Sequence, residues 1–395
     1  MDKLFPFQAE ALDYVFQHKR ALLALDCGLG KTRICIELAR KLGEKLTVIC
    51  PAYLSRNWQS EVQKWGFTGE FEVYSYDGSR HLDERHAKGI LVIDEAHYCK
   101  NWEARRTKRV LLAVAPKFSR VVMLTATPLV KSAADLHPLV STCEPGKWGK
   151  FRDFCEKYCN KKRDAFDPRG FKWVGVKNSE ILRSTMAEFT LIKKKEAVMS
   201  QLPEKTIEDF YLDITNGAYP NAAVNAQVHN DIEAGFITEA VKTERERIGR
   251  AKVRAIAEVA DNISGDTSVV VFAHHRTVLS MLGEILGCPV IDGDTPMATR
   301  EQLITGFQEG EFTRLVASIG ACGTGVNLHR ASTALFAEMP WTAAEFKQCC
   351  DRLHRIGQKN AVTIYRCLVD DTIDTAILHT MHSKARFSAD VGVVL

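Results

Sequence analysis

Gly28, Gly30, Lys31 and Thr32 stand together in DCGLGKTR, Asp26–Arg33, and these are the residue types that grip a polyphosphate. Glycines let backbone N–H groups approach phosphate oxygens, the lysine supplies an ammonium, and the hydroxyl binds Mg²⁺. The common form of this loop has one more glycine, five residues before the glycine-lysine pair, where this chain has Leu25. Context makes up for it. The loop follows the apolar run ALLALD (Ala21–Asp26) and precedes helically spaced Ile34, Ile36, Leu38 and Leu42, so a helix N-terminus faces the phosphates. A second acidic site matches it: ILVIDEAH places Asp94 and Glu95 directly after four apolar residues, Asp94 to hold Mg²⁺ and Glu95 to polarise a water. LTATP (Leu124–Pro128) ends the next apolar run, with Thr125 and Thr127 as candidate relays to His97. At the amino end Gln8 carries the donor and the acceptor needed to read an adenine edge. The candidate nucleotide-binding set in this half is Gln8, Asp26, Gly28, Leu29, Gly30, Lys31 and Thr32, with Thr32 and Asp94 at the metal.

A second constellation lies far along the chain. QCCDRLHRIGQ runs from Gln348 to Gln358, and Gln348, Arg352 and Arg355 have the spacing of one helical face. Guanidiniums there suit charge that develops on a transferred phosphoryl group, and such arginines contribute about 10³–10⁵ in rate. GACGTGVNLH (Gly320–His329) is a glycine-rich loop after an apolar strand. Gly325 is assigned to nucleotide, Gly323 and Asn327 to a nucleic-acid backbone. The expected geometry is a triphosphate gripped by one lobe and triggered by arginines of another, so that hydrolysis requires closure.

These residues need strands that end where ligands bind. Leu46–Cys50, Ile90–Ile93 and Val121–Leu124 are continuous apolar runs separated by helical segments, the pattern of a parallel sheet covered on both faces. Alternation resumes after Arg250, with strands expected at Ser268–Phe272, Pro289–Ile291, Arg314–Ser318, Thr333–Ala337 and Val362–Cys367. The fold class is therefore α/β, two tandem lobes of parallel sheet with a small helical accessory segment between them. The expected division is 1–141 for the first lobe, 142–216 for the accessory segment and linker, and 217–395 for the second lobe.

With 395 residues and 46% hydrophobic content the chain can bury two cores, and its net charge of +4 is too small to demand a polyanionic partner. Local clusters must argue for one: Arg105, Arg106, Lys108 and Arg109, then Lys161–Arg163, then Lys193–Lys195, with Trp102, Trp148 and Trp173 interleaved. Twelve cysteines without a CxxC fit reduced thiols rather than a disulfide framework. No signal core or spanning run is present, so a soluble intracellular protein, cytoplasmic or nucleoid-associated, is expected, with no membrane contact.

With DCGLGKT, DEAH followed by Lys100-Asn101, LTATP, GTGVNL and DRLHRIGQ in this order, the chain resembles the superfamily 2 helicase-like ATPases. More closely it looks like the Swi/Snf family of DNA translocases, nearest its annealing-helicase branch; HRIGQ and PAYLSRNWQSEVQKW discriminate. The resemblance implies two RecA-like lobes, ATP and Mg²⁺, and tracking along the DNA phosphate backbone, here through Lys100, Asn101, Arg105, Gly323 and Asn327. The family usually has Leu-Ser-Gly-Thr-Pro in place of LTATP, and arginines where Lys193 and Lys194 stand. What it implies is a DNA-stimulated ATPase that moves on duplex or forked DNA as a bare, monomeric motor, with a protein partner to supply specificity. Too few residues separate His329 from Gln348 for a strand-separating wedge. A strand-separating helicase and an ATP-gated DNA clamp are the alternatives.

Overall fold

The computed structural model describes residues 3–82, 87–125, 132–164, 167, 169–199, 202–214, 222–234, 236–263, 267–322 and 326–390. It divides into two compact units, residues 1–200 together with 386–395, and residues 201–385.

The first unit is built on β1 (Arg20–Leu25), β2 (Leu46–Cys50), β3 (Phe71–Ser75), β4 (Ile90–Asp94), β5 (Arg120–Thr125) and β8 (Thr190–Lys193). These form one sheet in the order β3-β2-β4-β5-β1-β8, with every pair parallel. Successive residues of the central strands enter different cores. Leu22, Ile49, Leu91, Ile93, Val121 and Met123 belong to one apolar cluster, and Leu23, Val48, Ile90, Val92, Val122 and Leu124 to the other. That period of two, with both faces apolar, is why the sequence shows unbroken hydrophobic runs. Helices α1 (Pro6–Gln17), α2 (Lys31–Leu42) and α3 (Ser55–Lys64) contribute Phe7, Ile34 and Trp58 to the second cluster.

The second unit repeats the architecture with different strands: β9 (Lys205–Tyr211), β10 (Val269–Ala273), β11 (Val290–Ile291), β12 (Arg314–Ser318), β13 (Thr333–Phe336) and β14 (Val362–Leu368). Their order is β11-β12-β10-β13-β14-β9, again all parallel. The fold is thus two tandem parallel-sheet lobes of RecA-like build. The stretch 142–216 is shared out: β8 completes the first sheet and β9 edges the second. Ahead of β8 in sequence it also carries an antiparallel pair, β6 (Asn160–Arg163) with β7 (Phe171–Val174), which an expectation of helix alone did not include. Trp148 packs on Phe154 and Phe189 in the first unit's core, so its place among basic residues reflects burial rather than a nucleic-acid surface.

The core of the second unit contains an ion pair. Lys252 Nζ donates to Asp374 Oδ2 at 2.7 Å and to the Cys367 carbonyl at 2.9 Å, and the two side chains are 0% and 5% exposed. Burial raises the Asp374 pKa even against the neighbouring ammonium, so desolvation outweighs the attraction and the pair fixes geometry more than it stabilises. Lys252→Met leaves Asp374 buried without its cation and is expected to cost about 3–5 kcal/mol. Adding Asp374→Leu is expected to recover most of that loss, both read from urea unfolding midpoints.

Candidate nucleotide site

At the carboxyl end of β1 the chain turns through Gly28 (φ 84°) and Gly30 (φ 75°) into α2. Both glycines have left-handed backbone, which side chains resist. Gly30 has a second reason: a Cβ on it would lie 2.4 Å from Gln8 Nε2. Gln8 is 2% exposed. Its Oε1 accepts from the Phe5 N–H at 3.1 Å, and its Nε2 donates to the Leu29 carbonyl at 3.2 Å, so it fastens α1 to the loop. Lys31 Nζ donates to the Leu25 carbonyl at 2.8 Å, which holds the ammonium over the end of the strand. Asp26 is buried, and its Oδ2 accepts from the Lys195 N–H at 2.9 Å.

Asp94 ends β4 and is 7% exposed. Trp58 Nε1 donates to its Oδ2 at 2.9 Å and the Glu95 N–H to its Oδ1 at 2.9 Å. These occupy two of the roughly four acceptor sites of an ionised carboxylate. Burial, then the charge of Glu95, pushes the Asp94 pKa up to about 6, against the opposing pull of Trp58 and Lys31. Glu95 has φ 52°, and its strand-end backbone is held by Tyr76, whose hydroxyl lies 2.9 Å from the Asp94 carbonyl and 3.1 Å from the Glu95 carbonyl. His97 Nδ1 lies 3.2 Å from Glu95 Oε2 and 3.4 Å from Thr125 Oγ1. The structure therefore brings Lys31, Asp94, Glu95, His97 and Thr125 to the carboxyl ends of three adjacent strands, where parallel sheets bind ligands. Thr127 lies outside the described residues.

Trp58 and Tyr76 escaped the sequence reading as site residues. A signal existed for the first: a fully buried Trp needs a partner for its N–H, and Trp58 and Val62 are one turn apart on the buried face of α3. Lys195 was read as part of a basic cluster, yet it is 2% exposed and packs at Asp26.

In the second unit the helix Ala343–Leu353 carries Gln348 and Arg352. Arg355 does not lie on it, which corrects the expectation of one shared helical face. The helix stops at Leu353 because Gln358 Nε2 donates to the Leu353 and Ala331 carbonyls and His354 Nε2 contacts the Pro203 carbonyl at 2.8 Å. The turn beyond is tied instead to the glycine-rich segment. The Leu328 N–H donates to the Arg352 carbonyl at 3.0 Å and Arg355 NH1 reaches the Val326 carbonyl at 3.5 Å. Arg352, Arg355 and Asn327 are thereby neighbours, and Gln348 is half-buried. Asn327 Oδ1 faces His329 Nδ1 at 2.8 Å. Gly323 and Gly325 lie outside the described residues. Lys100 is half-buried, and Asn101 and Arg105 are exposed; Asn101 Oδ1 accepts from the Glu103 N–H at 2.9 Å.

One further buried carboxylate sits at a strand end of this unit. Glu338 Oε2 accepts from the N–H groups of His274 and His275 at 2.7 and 2.8 Å, and its Oε1 meets His275 Nδ1 at 2.6 Å. Burial opposes its ionisation, but His275 and Arg245 overcome that and hold its pKa down to about 2. Gly249 permits the approach, since a Cβ there would lie 3.0 Å from Glu338 Oε1.

A glycine loop and an acidic strand end on one parallel sheet, with a second sheet carrying an arginine turn, define a two-lobed P-loop protein of the helicase-like class. Residues 79–219 match the SNF2-related domain and residues 251–357 the helicase conserved C-terminal domain. Over 99% of its length the chain is 29% identical to the SWI/SNF-related matrix-associated actin-dependent regulator of chromatin subfamily A-like protein 1 of Xenopus tropicalis. Over 97% it is 27% identical to the human DNA annealing helicase and endonuclease ZRANB3. The chain spans 45% and 40% of the lengths of these two relatives. A solved structure, the Sulfolobus solfataricus SWI2/SNF2 ATPase core in complex with dsDNA, aligns with 93% of this chain and 88% of its own at 20% identity and a TM-score of 0.45. The chain thus carries an SNF2-related domain followed by a helicase conserved C-terminal domain and is similar over nearly its whole length to SWI/SNF-related proteins. Among the described residues no helix is long and apolar enough to cross a membrane.

Trp58→Phe removes the N–H that orients Asp94 while keeping an aromatic ring in the core. A loss of about 1.5–3 kcal/mol is expected for a hydrogen bond to a charged group, read from thermal unfolding.

Proposed function

We propose that this chain hydrolyses ATP and couples the hydrolysis to movement along duplex DNA. The observation that carries the reading is the convergence of Lys31, Asp94 and Glu95 at the carboxyl ends of β1 and β4 beside a glycine loop with two left-handed glycines. Residue types and placement fit a magnesium nucleotide: the loop admits phosphate oxygens closely, and Asp94 keeps acceptor capacity beyond its two hydrogen bonds. Thr32 and Asp94 would hold Mg²⁺, which would supply positive charge to the phosphates as negative charge develops on them.

The protein's own groups do the rest. Lys31 binds phosphate oxygens as a point charge. Glu95 orients and polarises the attacking water, and His97, 3.2 Å from its carboxylate, fixes that carboxylate and links it to Thr125. Phosphoryl transfer asks for little covalent chemistry, so positioning and charge dominate the rate. Arg352 and Arg355 are assigned the cationic role in that charge stabilisation, and Gln348 and Gly325 a part in holding the nucleotide. Lys100, Asn101, Arg105, Gly323 and Asn327 are assigned to the DNA backbone.

ATP turnover measured without nucleic acid, with single strands, with duplex and with forks tests this directly. Strong stimulation by duplex is expected. Lys31→Ala is expected to lower kcat at least about 10²-fold, and Arg355→Ala by about 10³-fold or more. Equal stimulation by single strands would assign the chain to strand separation. DNA binding gated by ATP without stimulated turnover would make it a clamp.

A further inference from the structure

Three basic clusters stand in the sequence, and the structure treats them differently. In the third, Lys193 Nζ lies 2.6 Å from Glu10 Oε1, and Lys195 is buried. In the first, the Arg106 guanidinium lies 5.4 Å from the Tyr76 ring centroid and 5.5 Å from that of Tyr98, and Arg109 donates to the Ser79 carbonyl at 3.2 Å. Those cations are engaged within the fold, leaving Arg105 and Lys108 exposed. The second cluster has become a strand of the β6–β7 hairpin, outside both parallel sheets.

The register of the hairpin sorts its side chains. Lys161 pairs with Trp173 and Arg163 with Phe171 on one face, and Lys162 pairs with Lys172 on the other. All of β6 is exposed. Five cations stand against two carboxylates between residues 160 and 174, so a large part of the chain's small positive excess is gathered on one projection. Lys162 opposite Lys172 is a like-charge cross-strand pair, which opposes strand pairing. Lys172 is relieved by an ion pair with Asp164. Lys162 and Arg163 have no acidic partner among the described residues. Lys161 lies 5.0 Å from the Trp173 centroid and 5.1 Å from that of Phe171, so these rings are covered by a cation and are not open stacking platforms.

The base of the hairpin is firm. Trp173 and Val176 pack on the first unit's core, the Ala133 N–H donates to the Gly175 carbonyl at 3.1 Å, and the Lys177 N–H to the Tyr158 carbonyl at 2.9 Å. An exposed cationic ribbon on a rigid root has the chemistry of a phosphate clamp rather than of a base reader. We propose that the β6–β7 hairpin is a further duplex-DNA contact in which Lys162 and Lys172 on one face, and Arg163 and Lys161 on the other, reach backbone phosphates on either side of the ribbon. This rests on the DNA-translocase reading and adds a contact that the helicase motif residues do not contain.

The test is a salt titration of the binding of a fluorescent duplex, read by anisotropy, with wild type, Lys162→Gln/Arg163→Gln and Asp164→Asn. Each lost phosphate contact lowers the log–log salt slope by about 0.9. The double variant is therefore expected to lose about two units of slope and to bind about tenfold or more weakly at low salt. Asp164→Asn releases Lys172 and is expected to bind about two- to threefold more tightly, a gain that no misfolded protein would show. Thermal unfolding checks that each variant is folded. An unchanged slope and affinity in the double variant, with wild type binding duplex, overturns the clamp and leaves the motor reading standing. Failure of wild type to bind duplex overturns both. If the double variant loses affinity for poly-glutamate but not for duplex, the ribbon serves an acidic protein surface and the proposal falls.

Discussion

Ionised carboxylates are costly to bury, and two adjacent ones more so. Asp94 and Glu95 are both under one-tenth exposed at the end of β4, and the surrounding structure answers that cost. Trp58 and the Glu95 N–H hold the Asp94 oxygens, Tyr76 holds the two carbonyls, and Lys31 supplies an opposing charge. Even so the Asp94 pKa stays raised, so its demand for positive charge is only partly met from within the protein. A carboxylate in that condition suits a cation that arrives with a nucleotide.

The second unit sets the contrast. Glu338 occupies the corresponding kind of place, just beyond β13, and is as deeply buried. Two N–H groups, His275 and the nearby Arg245 hold its pKa far below the usual carboxylate range. Its charge is answered internally, so it braces the segments after β10 and β13. Arg245 extends that brace by donating to the Met339 carbonyl at 2.6 Å and lying 4.6 Å from the Trp341 centroid. One sheet end thus carries a carboxylate in need of a partner and the other a carboxylate already supplied with one. The two carboxylates are alike in burial and differ in the groups that answer their charge.

The central strands were legible because both faces of each sheet are covered. ILVID and VVVFA show no alternation to confuse, and each ends within a residue or so of where polar residues begin. Strands at the margins were not. β3 is half-buried throughout, β8 and β9 pair on one side only, and the lysines Lys193–Lys195 were read for their charge instead. The arginine segment illustrates a different limit. Helical spacing from Gln348 to Arg355 is genuine in the sequence, but where the helix ends is decided by Gln358 and His354 bonding to distant carbonyls, and spacing carries no information about that. The P-loop residues were legible as types, whereas Trp58 and Tyr76 act through partners more than fifteen residues away in sequence.

Backbone strain follows the same division. Among the described residues only Glu95, Asn178 and Asp371 adopt positive φ without being glycine. Asn and Asp tolerate that region, because their short side chains bond locally. A glutamate gains no such relief, and a left-handed non-glycine residue costs about 1–3 kcal/mol unless its surroundings fix it. Here they do: the Tyr76 hydroxyl bridges the carbonyls before and after the Glu95 Cα, and the Tyr98 N–H donates to the Glu95 carbonyl at 2.9 Å. With this backbone the Glu95 carboxylate meets His97, which in turn lies against Thr125. A regular strand end would send residues 94 and 95 to opposite faces of the sheet. The left-handed turn lets two consecutive carboxylates lie together at one strand end, and Tyr76 braces the backbone there.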